Sequence, residues 1–112
     1  MGKFVIAKRK NGEFQFTLQA NNGEVILVSE GYKTKTSCKA GIKSVQTNAS
    51  IDARYERKVA KNGKTMFNLR ARNAKVIGTS EQYETEKARE NGISSVMKNA
   101  PDAKVVDNTV AA

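Results

Sequence analysis

The chain has no histidine, no tryptophan, one cysteine (Cys38) and one proline (Pro101). Each shortage closes off a class of chemistry. Without histidine there is no imidazole to serve as a general base near neutral pH, no Ser-His-Asp or Cys-His constellation, and no partner for most zinc sites. A lone cysteine can neither close an internal disulfide nor complete a metal cage, and it suits a reducing, cytoplasmic setting. No apolar run approaches the roughly 18–20 residues that span a bilayer, so no membrane partner is expected. The opening stretch, MGKFVIAKRKNGEF, has no apolar segment followed by a small-residue cleavage site, and Ile6 stands where a myristoylation pattern needs Ser or Thr. Neither a signal peptide nor a lipid anchor is expected. The glycines occur singly and form neither GxxxxGK nor GxGxxG, which argues against a phosphate loop. No cofactor and no metal are expected.

What is present fits one folded domain, residues 1–112, of modest core size. The formal net charge is +9. Residues 1–53 hold eight Lys/Arg against four Asp/Glu, and residues 54–112 hold twelve against seven, so both halves are basic and neither is a basic tail. Such charge serves either solubility or an anionic partner.

The halves match. Displacing the chain against itself by 51 residues puts Lys10-Asn11-Gly12 on Lys61-Asn62-Gly63, Phe16 and Leu18 on Phe67 and Leu69, and Val25-Ile26 on Val76-Ile77. It also puts Ser29-Glu30 and Tyr32 on Ser80-Glu81 and Tyr83, Gly41-Ile42 on Gly92-Ile93, and Asn48-Ala49 on Asn99-Ala100, with no gap anywhere. A duplication is the reading.

Each unit, about 3–53 and about 54–106, opens with a short strand (about 3–9 and 54–60) that leads into Asn-Gly, a pair suited to a type I′ turn. The next strand alternates: Phe14, Phe16, Leu18 and Ala20 on one side, Gln15, Thr17 and Gln19 on the other, which predicts one buried and one wet face. A third strand, Val25 to Val28, precedes a helix. Thr34 and Thr85 stand where an N-cap belongs, Ile42, Val45 and Ala49 follow helical spacing, and Asn48 and Asn99 suit a left-handed C-cap. Pro101 ends the second helix, a last strand covers 103–106, and 107–112 read as a flexible tail. The expected fold is α+β: two tandem pseudo-symmetric β3-α-β repeats that share one antiparallel sheet, with both helices packed on one face.

The stretch from Gly23 to Tyr32 (GEVILVSEGY), with Gly41-Ile42 and Ser44-Val45 after it, resembles the signature of the bacterial YegP-like proteins. Val76-Ile77-Gly78-Thr79-Ser80-Glu81, Tyr83 and Gly92-Ile93-Ser94-Ser95-Val96 repeat it, and the resemblance covers about residues 3–106. It implies tandem β3-α-β motifs in one sheet, with the strands after the helices exchanged between halves, and it implies no activity. Gly23 becomes Ala74 in the second copy, so that turn is expected to differ. Exchange between chains would give a homodimer in place of a monomer.

Few side chains offer chemistry. Cys38, flanked by Lys35 and Lys39, has Arg89 as its counterpart and reads as a surface or boundary thiol. The repeated Ser29, Glu30, Tyr32 and Ser80, Glu81, Tyr83 form either two polar pockets or loops tied by hydrogen bonds over a tyrosine packed beneath the helix start; the structural reading is preferred. Gly41 and Gly92 each cost a helix roughly 1 kcal/mol against Ala, which predicts close approach of helix backbone to the sheet or to the other helix. The uncovered sheet face would carry Gln15, Thr17, Gln19, Asn68 and Arg70, with Arg57 and Arg72. It lacks the aromatics on which single-stranded bases stack. The first helix is basic through Lys35, Lys39 and Lys43. The second, with Glu84, Glu86, Lys87, Arg89 and Glu90, reads as a solvated face. The candidate anion-binding set is therefore Arg57, Arg70, Arg72, Lys35, Lys39 and Lys43. The expectation is a non-enzymatic binding or interaction module whose ligand the sequence leaves open, a protein partner or a weak nucleic-acid contact. Weak sequence-tolerant contact with nucleic acid or another polyanion is the second reading, and an enzyme using Glu30 or Glu81 the third.

Overall fold

The computed structural model describes residues 2–109. Seven strands and two helices follow in the order β1 (Lys3–Lys8), β2 (Phe14–Gln19), β3 (Val25–Val28), α1 (Lys35–Asn48), β4 (Tyr55–Val59), β5 (Thr65–Arg70), β6 (Val76–Thr79), α2 (Glu86–Asn99) and β7 (Lys104–Asp107). A 3-10 turn follows each helix, at Asp52–Arg54 and Ala100–Asp102. The strands form one sheet in the order β4-β5-β6-β3-β2-β1-β7. The sheet is mixed rather than antiparallel, because β7 runs parallel to β1, with Phe4 opposite Val105 and Ile6 opposite Asp107. The chain leaving α2 crosses to the first half of the sheet, which is what permits the parallel pairing.

The two halves meet at β3 and β6, where the only residue pair in register is Val28 with Thr79. Backbone pairing at this seam is thin, and the helices bridge it: α1 packs on β2, β5 and β6, while α2 packs on β5 and β3. One core results, with Phe4, Ile6, Phe16, Leu18, Leu27, Val45, Phe67, Leu69 and Val96 fully buried. Every second residue of β2 and β5 reaches it, as the alternation requires.

The hairpin turns are not type I′. In the first, the Gly12 N–H donates to the Arg9 carbonyl and the Arg9 N–H to the Glu13 carbonyl, and only Gly12 has a positive φ, +87°. This is a type I turn closed by a left-handed residue that forms a bulge. Asn11 contributes its side chain, accepting the Glu13 N–H on Oδ1. The same geometry recurs at Gly23, Gly63 and Ala74, with Asn22, Asn62 and Asn73 accepting in turn. The turn at Ala74 therefore keeps its type, with alanine at φ +70°.

The Thr34 and Thr85 hydroxyls accept the Ser37 and Ala88 N–H groups as N-caps. Asn48 and Asn99 are not left-handed C-caps. Both lie in the last helical turn and donate from Nδ2 to the carbonyls of Ser44 and Ser95 at 2.8 Å, and Asn48 also accepts from Arg54 Nε. Their side chains hold the chain exit by bonds that need no reversal of φ. Residues 107–109, expected to belong to a flexible tail, are held in place: Asp107 ends β7, Asn108 donates to the Ile6 carbonyl, and Thr109 bonds to Asp107. Residues 110–112 lie outside the described residues.

Candidate functional site

The repeated Ser-Glu-x-Tyr segments divide their side chains between the two faces of the sheet. The Ser29 hydroxyl accepts the buried Phe16 N–H at 2.8 Å and donates to the Glu30 carbonyl, and Ser80 does the same with Phe67 and Glu81. Both hydroxyls are thus spent on holding the chain where it leaves the sheet. Tyr32 and Tyr83 turn inward and stack on Phe16 and Phe67, with ring centres 6.3 and 6.4 Å apart. Burial, with the nearby Glu30 and Glu81 carboxylates adding to it, pushes both phenol pKa values up. These rings explain the helix glycines. A Cβ on Gly41 would collide with the Tyr32 hydroxyl and lie 2.8 Å from its Cζ, and Gly92 stands in the same way against Tyr83. The close approach is of tyrosine to helix, not of sheet backbone or the other helix. Glu30 and Glu81 are exposed and line, with Val25, Val28, Val76 and Thr79, a shallow cleft of about 410 Å³ over the seam. Glu30 lies 4.0 Å from Lys75; Glu81 has no cationic partner among the described residues.

Cys38 is not a surface thiol. It is fully buried, and burial raises its pKa, with Asp107 adding to the shift. Cys38, Ile42 and Val45 form one helix stripe, at i, i+4 and i+7. In the second half the counterpart Arg89 fills the same inward position, with its side chain 12% exposed and Nη1 donating to Thr65 Oγ1 at 2.8 Å. Small Cys38 goes with the large Phe14, and long Arg89 goes with the small Thr65 at the matching place. Arg89 is therefore part of the fold rather than of a solvated face, while Glu90, which it binds, stays partly exposed.

The candidate cations do not form one surface. Arg57 lies on the helix side, where Nε and Nη2 bond to Glu90 at 2.9–3.1 Å and Nη2 to Asp52 at 3.0 Å; these bonds hold the guanidinium pKa above its ordinary value. Arg70 bonds to Glu56 at 2.7 Å and to the Ala74 carbonyl; the Asn68 amide and then the Arg70 guanidinium hold Glu56 below the usual carboxylate range. Arg72 is exposed in the turn beyond β5. On the sheet face Arg70 is thus paired, while Lys3, Lys58 and Lys104 are exposed with no carboxylate partner among the described residues. Lys35 is also committed: its ammonium pairs with Asp107 at 2.9 Å and lies 5.8 Å from the centre of the Phe14 ring.

Lys39 and Lys43 remain, with Arg72 standing apart from them in its turn. Both are exposed, and neither pairs with a carboxylate among the described residues. They flank a groove of about 500 Å³ between α1 and β7, also lined by Ile42, Gln46, Val105 and Asp107. Val105 is 48% exposed, one of three large apolar side chains that open to solvent among the described residues. The Lys104 and Asn108 N–H groups donate to Gly2 and Ile6, so the backbone groups of Val105 and Asp107 point the other way, off the sheet edge. The sequence signalled the lysines but not their floor. By the 51-residue displacement Val105 falls on Arg54, so the duplication does not mark it, and only the crossover of β7 brings it beneath α1.

Fold and site together describe a tandem-repeat α+β module with a basic groove at one sheet edge. The family model described as a domain of unknown function (DUF1508) matches the chain twice, over residues 10–56 and 60–107, and the chain belongs to this family. It is 56% identical over 106 residues to the "UPF0339 protein in ptx operon 5′region" of Stutzerimonas stutzeri, covering 95% of this chain and 96% of that one. It is 48% identical over 108 residues to the UPF0339 protein YegP of Escherichia coli K12, covering 96% and 98%. Two solution NMR structures share the fold. The UPF0339 protein of Shewanella oneidensis gives a TM-score of 0.89 at 50% identity, with 95% of this chain and 90% of that one covered. Escherichia coli YegP, described as a protein of unknown function, gives 0.91 at 48%, covering 96% and 92%. Among the described residues no helix is long and apolar enough to cross a membrane.

Proposed function

We propose that this chain is a non-catalytic, cytoplasmic binding module that holds an extended acidic segment of a partner protein in the groove between α1 and β7. The observation that carries the reading is the pairing of an exposed apolar side chain, Val105, beside Ile42 with two lysines that no carboxylate neutralises among the described residues. Lys39 and Lys43 are one helical turn apart, about 5–6 Å, close to the roughly 6.6–6.8 Å between alternate side chains of a strand. Alternate carboxylates of an extended segment therefore match them while its apolar residues cover Val105. The non-catalytic part is supported by what the reactive groups already do: both motif serines tie backbone, both tyrosines pack under helices, and Cys38 is enclosed. The lone thiol supports the cytoplasmic setting.

The test is to titrate the full isotope-labelled chain with a short peptide of alternating glutamate and valine, and separately with single-stranded RNA, at low and physiological salt. Peptide-induced amide shifts at Lys39, Lys43 and residues 104–107, lost in Lys39→Glu/Lys43→Glu, support the reading. No peptide binding at low salt, or binding indifferent to that variant, rejects it. RNA binding at the same lysines that exceeds peptide binding, and weakens steeply with salt, replaces it with polyanion contact.

A further inference from the structure

The duplication supplies an internal comparison at the two sheet edges. By the 51-residue displacement β1 corresponds to β4, with Phe4 matching Tyr55 and Ile6 matching Arg57. Yet β1 has neighbours on both sides, β2 and β7, whereas among the described residues β4 pairs with β5 alone and ends the sheet. The first half thus displays how a strand docks at this place: parallel, with Asp107 opposite Ile6 and reaching Lys35 of the overlying helix. The second half displays the same place without its strand.

The residues there have changed accordingly. Ile6, fully buried under β7, becomes Arg57, whose side chain remains 30% exposed. Lys39 becomes Glu90 and Lys35 becomes Glu86. Arg57 and Glu90 join in a two-point contact, Asp52 binds the guanidinium from the preceding 3-10 turn, and Arg89 binds Glu90 from behind at 2.9 Å. A strand laid beside β4 in the manner of β7 would bury these charges. Taking charges out of water costs more than a few added ladder bonds return, and inward-pointing charge is a recurrent protection of edge strands. The need is real here, because Val59 on the same strand is 70% exposed.

We infer that the Arg57–Glu90–Asp52 cluster closes the β4 edge to a parallel strand from a second copy of this chain, which leaves β7 as the edge open to a partner. This inference stands on the edge comparison and not on the identity of the groove's ligand. One-ended access limits the sheet to pairwise complexes, since a sheet open at both edges can grow head to tail.

The test transplants the first half into the second. Arg57→Ile/Glu86→Lys/Glu90→Lys gives the β4 place the residues found around β7, and the probe is a labelled synthetic peptide of residues 102–109. The variant is expected to bind the peptide at least tenfold more tightly than the unaltered chain, with amide shifts in residues 55–59. Equal binding at those amides by the unaltered chain, or no gain in the folded variant, overturns the inference. If the triple variant does not fold, Asp52→Asn/Glu90→Gln keeps the side-chain shapes and unties Arg57. A smaller gain in the same direction is then expected, and no gain overturns the inference.

Discussion

Four hairpin turns share one backbone geometry, and alanine occupies the left-handed position in only one of them. Gly12, Gly23 and Gly63 have φ of +87°, +84° and +85°, while Ala74 has +70°. An L-residue held there costs about 1–2 kcal/mol. Glycine returns roughly 0.4–1 kcal/mol of this by loosening the unfolded chain. Ala74→Gly is therefore expected to stabilise the protein by about 0.5–1 kcal/mol, which for a domain near this size raises Tm by about 2–8 °C. The Arg70 bond to the residue-74 carbonyl needs no side chain and survives the change. Gly23→Ala is the converse. A Cβ there meets nothing within 4 Å, so its cost is backbone strain alone, expected at about the same size with opposite sign. The two turns share no hydrogen-bond partner, so the double variant should return close to the starting stability. Thermal and urea unfolding followed by circular dichroism measure all three. An Ala74→Gly variant that is neutral or weaker, beside a Gly23→Ala variant that loses nothing, would refute the strain argument.

Two further outcomes follow from the packing and the charges. Gly92→Ala should destabilise by about 1–3 kcal/mol, although helix propensity alone favours alanine, because the new methyl meets Tyr83; Tyr83→Phe in the same chain should recover part of the loss in urea unfolding, and full additivity of the two changes would show that they do not touch. The Thr109 hydroxyl, the Lys35 ammonium and the Thr109 N–H together hold the Asp107 carboxyl at about 2, below its ordinary value of 3.8. Its lowered value means that its contribution is complete above about pH 4 and disappears as pH falls towards 2. The gap in urea midpoint between the unaltered chain and Asp107→Asn should close over that range, and a gap that stays constant would contradict the linkage.

The repeat was legible because it is local and regular. Alternation along β2 and β5 assigned the buried face, and Thr34 and Thr85 marked the helix starts, since a cap lies next to the N–H groups it satisfies. The turn type was misread because Asn-Gly serves two geometries. Here asparagine acts through its side chain and only the glycine reverses φ. Cys38 was misplaced for a related reason: the charged Arg89 at the matching position suggests water, whereas a long side chain can lie inward and bond at its tip.

The sequence by itself determined the duplication, the α+β class, the strands and helices, the inward stripe of each, and the absence of histidine chemistry. These depend on residue type and spacing, which act over a few neighbours. Tertiary structure alone decided the rest. It sent β7 across the sheet to pair in parallel with β1, put Val105 beneath Lys39 and Lys43, and left β4 without a neighbour but covered by Arg57. Partners of that kind are tens of residues apart, and their meeting depends on which strand fills the space beside which edge, a choice made by packing the whole sheet under two helices.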